Sequence, residues 1–133
     1  MRLIEIHLEC VDLERSLELY KKLLPHTRVI WNGPTDSQAF IVLEDGSAFG
    51  LWEQGTRGIH RGQGADHVHY AFQIAPEEYE AYREKVSAVG LEPLEWDWPD
   101  GYKSVYFFDP DGHQGEFMTC DWHRRCSKAS KTV

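Results

Sequence analysis

Residues 67–74, HVHYAFQI, place two imidazoles, His67 and His69, on one face of an alternating strand. Val68, Tyr70, Phe72 and Ile74 take the other face. Residues 3–10, LIEIHLEC, do the same with Glu5, His7 and Glu9 opposite Ile4, Ile6, Leu8 and Cys10. A third strand, near the end of VYFFDPDGHQGEFM, brings Glu116. Imidazoles and carboxylates ligate divalent cations and move protons near neutral pH. Ligation at about 2 Å requires such groups to meet across strands, and three strands here each present one. A strand face of this kind also suits plain contact with solvent, and on these residues alone both readings stand.

The elements that must position them are written twice. After the first strand, Asp12 is a helix N-cap, Leu13, Leu17, Tyr20 and Leu24 form one stripe, and Pro25 stops the helix. After the strand with His69, Pro76 sits in the first helical turn, Tyr79, Tyr82, Val86 and Val89 form the stripe, and Gly90 closes it. AFIVLEDGSAFGLW at 39–52 and VYFFDPDGHQGEFM at 105–118 each read as strand, Asp-Gly turn and strand. The offset is 64 residues at the first strands and 66 at the hairpins, as expected of a repeat. Each copy reads roughly β-α-β-β-β. Module one spans 1–53, a glycine-rich linker 54–66, module two 67–120, and a small polar tail 121–133. Together they make a single domain of the α+β class.

Composition narrows the function. A chain of 133 residues with 22 acidic and 14 basic side chains carries a net charge of −8, which disfavours nucleic acid and anionic membranes as partners. It suits a cation. No apolar run approaches the ~20 residues of a membrane helix. Cys10, Cys120 and Cys126 lack CxxC spacing and are odd in number, against a disulfide framework, and a reducing cytoplasm is the expected compartment.

VDLERSLELYKKLL after the first strand, HYAF opening module two, and YFFDPDGHQGEF at its end resemble the vicinal-oxygen-chelate superfamily. That is the group of glyoxalases, bleomycin-resistance proteins and extradiol dioxygenases, and the resemblance covers residues 1–120. The second half looks most like the fosfomycin-resistance thiol transferases, through HYAFQIA and SVYFFDPDGHQGE. The resemblance implies two tandem modules curled into a cup-shaped mixed sheet with a divalent metal on its inner wall. It implies three metal ligands: Glu5, seven residues before Asp12; His69, which opens HYAF; and Glu116, four beyond Gly112. The repeat sets Glu5 level with His69, and Gly50 level with Glu116.

The resemblance also implies pocket positions at Ser104 and Tyr106, with a catalytic part for Tyr106, and a phosphonate-gripping arginine at Arg125. His7, two residues from Glu5 on the same face, is a candidate proton shuttle or competing ligand. Trp52 and Met118 occupy equivalent positions and would wall the pocket, with His67 at its rim or at the surface. Some positions depart from the relatives: Glu5 replaces a more usual histidine, Gly50 offers no fourth ligand, and Asp97 follows Trp96 where the thiol transferases carry a lysine.

The expectation is therefore a divalent-metal-dependent enzyme, the metal acting as Lewis acid on a small oxygen-bearing substrate. Lyase, isomerase, thiol-transferase and dioxygenase chemistry all fit. The competing expectation is a metal-free small-molecule binding protein of the bleomycin-resistance type, and a domain with decayed catalysis is a third. Two carboxylates with one imidazole favour Mn²⁺ or Fe²⁺, with Mg²⁺, Zn²⁺ or Ni²⁺ possible. A homodimer with metal sites shared between chains is expected.

Overall fold

The computed structural model of the chain describes residue 3, residues 5–54 and residues 69–121. His67, Arg125, nearly all of the linker and the tail beyond residue 121 lie outside them. The chain divides into two compact units, Met1–His67 with Pro110–His113, and Val68–Asp109 with Gln114–Val133.

The first unit runs β1 (Glu5–Cys10), α1 (Leu13–Leu23), β2 (His26–Ile30), β3 (Gln38–Leu43) and β4 (Ala48–Glu53). Its sheet has the order β1-β4-β3-β2. The β1–β4 pair is parallel and the two other pairs are antiparallel. Helix α1 starts where the sequence asks for it: the Asp12 carboxylate accepts from Arg15 N–H at 3.0 Å, satisfying one orphan amide of the first turn. Its stripe of Leu13, Leu17, Tyr20 and Leu23 is buried, and Ile41, Phe49 and Leu51 of β3 and β4 are buried as well. Burying each such side chain is worth about 1.5–3 kcal/mol. In the turn at 110–113, Asp111 accepts from Val11 N–H at 3.1 Å and from the Ser16 hydroxyl at 3.3 Å, tying that turn to the start of α1.

The second unit repeats the plan with β5 (His69–Gln73), a 3-10 turn at Pro76–Glu78, α2 (Tyr79–Ala88), β6 (Leu94–Asp97), β7 (Lys103–Phe108) and β8 (Gln114–Met118). Sheet order is β5-β8-β7-β6, again with one parallel and two antiparallel pairs. Val86 of α2 and Val105, Phe107 and Phe117 of β7 and β8 are buried. Gly90, Gly46 and Gly112 adopt positive φ where the helix and the two hairpins turn. The repeated β-α-β-β-β plan is thus present in both units. Among the described residues, no helix is long and apolar enough to cross a membrane.

Candidate functional site

In the second unit the pairing of β5, β8 and β7 sets Ala71, Glu116 and Tyr106 in one row. Alternation turns Phe117 into the apolar core and Glu116 to the opposite face of the sheet. Glu116 is nonetheless only 2% exposed. A buried carboxylate needs hydrogen-bond partners, and this one has them. The Ser104 hydroxyl donates to Glu116 Oε1 at 2.6 Å, and Trp98 Nε1–H donates to Ser104 Oγ at 2.9 Å. His69 Nε2 stands 3.4 Å from the other oxygen, Oε2. Tyr106, paired opposite Glu116, packs edge-on to the His69 ring at 6.4 Å.

Burial first, and then the charge and hydrogen bonding of Glu116, push the Tyr106 phenol above its ordinary value, with the Ser104 hydrogen bond pulling the other way. A phenol held high keeps its proton at neutral pH and can serve as a donor, not as a phenolate base.

Leu94, Trp96, Ser104, Tyr106, Phe108 and Met118 share the Glu116 face by register and alternation, and none of them is cationic. Trp96 is 55% exposed and packs edge-on to Trp98. Asp97, read from the sequence as replacing a lysine of the pocket, falls on the other face with Val105 and Lys103. Its neighbour there is the Lys103 ammonium at 4.0 Å.

In the first unit the corresponding row holds His7 of β1, Gly50 of β4 and Phe40 of β3. His7 is partly buried. Trp52 Nε1–H donates to its Nδ1 at 2.7 Å, and its Nε2 lies 3.2 Å from Glu5 Oε1. The Phe40 and Trp52 rings pack around the imidazole at 5.8 and 5.9 Å. Glu5 itself is exposed at the beginning of the strand.

Of the residues singled out in the sequence, the structure brings together His69, Glu116, Ser104 and Tyr106 in one unit, and Glu5, His7 and Trp52 in the other. Met118 is buried on the Glu116 face, level with Ser104. His67 and Arg125 are outside the described residues. Sequence reasoning missed Trp98 and Phe40, which contact Ser104 and His7. It also read Gly50 only as a lost ligand. A glycine inside a strand is a signal of close approach, and that signal was there to be read.

An imidazole and a buried, hydrogen-bonded carboxylate are a donor pair for a divalent cation, and a second carboxylate beside an imidazole extends the same chemistry. Comparison with known proteins gives this geometry a context. No family model matches the chain. The glutathione transferase FosA of Serratia marcescens is 30% identical over 110 residues, which make up 79% of this chain and 71% of that protein. The metallothiol transferase FosB of Staphylococcus saprophyticus is 29% identical over 113 residues, 81% of this chain and 70% of that one. Among solved structures, the fosfomycin resistance protein FosX of Listeria monocytogenes, crystallised with Mn(II) and sulfate, matches with a TM-score of 0.68 at 25% identity. That match covers 94% of this chain and 97% of FosX. The lactoylglutathione lyase of Agrobacterium tumefaciens shares the fold with a TM-score of 0.67 at 20% identity, covering 88% of this chain and 92% of the lyase. The chain belongs to the vicinal-oxygen-chelate superfamily, as a homologue of the fosfomycin-resistance thiol transferases.

Proposed function

We propose that this protein is a divalent-metal-dependent enzyme acting on a small oxygen-bearing substrate, with Glu5, His69 and Glu116 as the metal ligands. The observation that carries the reading is the state of Glu116. It is buried, one oxygen is held by Ser104, and the other stands 3.4 Å from His69 Nε2. Two atoms that bind one ion at about 2.1 Å stand about 3.0–3.4 Å apart, a separation this pair matches. Ser104 and Trp98 orient the carboxylate in the way outer partners orient metal ligands.

A bound divalent ion supplies Lewis-acid stabilisation of negative charge developing on a substrate oxygen. Two carboxylates and one imidazole favour Mn²⁺ or Fe²⁺ by ligand hardness, with Mg²⁺, Zn²⁺ or Ni²⁺ possible. FosX bound to Mn(II) supports the same choice. Tyr106, held protonated, would donate to substrate beside Glu116. Met118 and Trp52 would supply apolar wall. The reaction type belongs to the thiol-transferase, lyase, isomerase or dioxygenase group, and the similarity to FosA and FosB favours transfer.

The second reading is a metal-free binding protein of the bleomycin-resistance type, favoured by the net charge of −8, which suits a cationic ligand. A carboxylate buried and held like Glu116 weighs against it. Metal analysis of protein purified without added metal separates the two: about one divalent ion per chain supports the enzyme, and none, with no uptake on Mn²⁺ titration, supports the binder.

The proposal includes a cytoplasmic homodimer in which Glu5 of one chain completes the site formed by His69 and Glu116 of the other. Sedimentation should give a dimer at micromolar concentration. A monomer that still binds metal would contradict the shared site.

A further inference from the structure

The two units repeat one design with one exchange. Where β8 carries Glu116, β4 carries Gly50, and where β5 carries Ala71 opposite that position, β1 carries His7. A Cβ on Gly50 would lie 2.5 Å from His7 Nδ1, 2.9 Å from His7 Cε1 and 3.1 Å from Phe40 Cε1. The imidazole therefore fills the volume that a side chain at position 50 would need. Gly50 is not among the glycines at positive φ, so its backbone conformation does not demand glycine. The close approach of the ring does.

The ring is also oriented. An indole N–H is a donor only, so the 2.7 Å contact from Trp52 makes Nδ1 an acceptor and puts the ring proton on Nε2. That nitrogen faces Glu5 Oε1 at 3.2 Å. A nitrogen that carries its proton offers no lone pair to a cation, and it can donate to a carboxylate. Glu5 needs such a partner. Its side chain is 56% exposed, whereas Glu116 is buried and gripped by Ser104.

We propose that His7 is a positioning residue for Glu5, seated by the missing side chain at Gly50 and oriented by Trp52. It holds one carboxylate oxygen so that Glu5 is presented to the metal in a single orientation. The same arrangement explains why the fourth-ligand position is glycine: the space is spent on the imidazole that holds the first ligand. The inference rests on the reading of Glu5 as a metal ligand.

The test is Mn²⁺ titration of the full chain, with free and bound ion followed by electron paramagnetic resonance. His7→Ala should weaken binding about 10-fold or more, the usual cost of losing a partner that orients a ligand. Gly50→Ala should weaken it to a similar extent by displacing the ring, and should add nothing in the His7→Ala background. Trp52→Phe, which removes the donor and keeps an aromatic ring, should move affinity in the same direction. In the Glu5→Gln background, His7→Ala should have no further effect, whereas a merely structural loss would persist there. Loss in Glu5→Gln with parent affinity in His7→Ala overturns the inference alone. Parent affinity in Glu5→Gln overturns the ligand reading and the inference together. Loss in His7→Ala with none in Glu5→Gln makes His7 the ligand and overturns both.

Discussion

Ser104 and Glu116 sit on neighbouring strands, both almost fully buried, and the serine hydroxyl donates to the carboxylate at 2.6 Å. The contact is charge-assisted and shielded from water, so it holds Glu116 Oε1 firmly.

Replacing Ser104 with alanine removes the hydroxyl that donates to Glu116 Oε1 and accepts from Trp98 Nε1–H. Urea unfolding should show a loss of about 1–3 kcal/mol, the cost of stranding buried polar groups. Mn²⁺ affinity should fall about 10-fold as the carboxylate loses its orientation. Unchanged stability and affinity would mean that the contact contributes nothing.

Tyr79 gives an alkaline signature. Burial first, then its hydrogen bond to Glu95, push its phenol well above the ordinary value, and its hydroxyl also donates to the Ser104 carbonyl at 3.2 Å. As pH rises past about 10, the unfolded chain loses this proton while the folded chain keeps it. The contribution of Tyr79 is therefore fully present below pH ~10 and declines as pH rises toward the folded-state value. Tyr79→Phe should cost about 0.5–1.5 kcal/mol at neutral pH and flatten the alkaline limb of the stability curve. Parallel pH profiles for parent and variant would contradict this.

Turnover of fosfomycin with glutathione and Mn²⁺ should be weak. The face around Glu116 carries Leu94, Trp96 and Phe108, and no lysine or arginine among the described residues. Arg125 lies outside the described residues, but Asp97 stands where the thiol transferases carry a lysine, and losing one charge-assisted contact to a phosphonate costs about 1.5–3 kcal/mol, roughly 10- to 150-fold in kcat/KM. A kcat/KM equal to that of the Serratia marcescens FosA would show that the anion is gripped elsewhere.

The fold was legible because its signals are local. Alternation at 3–10 and 67–74, the Asp12 cap, and the Asp-Gly turns each specify an element within a few residues, and the repeat supplied the topology. The site was legible only where a motif carried it. Which face Asp97 takes depends on the register of β6 against β7, and one residue of slip reverses it. Asp97 therefore lies beside Lys103, on the face away from Glu116. Trp98 reaches Ser104 from beyond the end of β6, and a loop residue has no periodicity to reveal its direction. The exchange of His7 for a side chain at Gly50 appears only when two strands are laid side by side.

Glu5, His69 and Glu116 are proposed to hold one divalent ion. Isothermal titration of the full chain with Mn²⁺ tests it most directly. One ion per chain in the parent, near-complete loss of binding in His69→Ala and Glu116→Gln, and a marked loss in Glu5→Gln are the predicted results. Parent affinity in both His69→Ala and Glu116→Gln would show that neither side chain is a ligand.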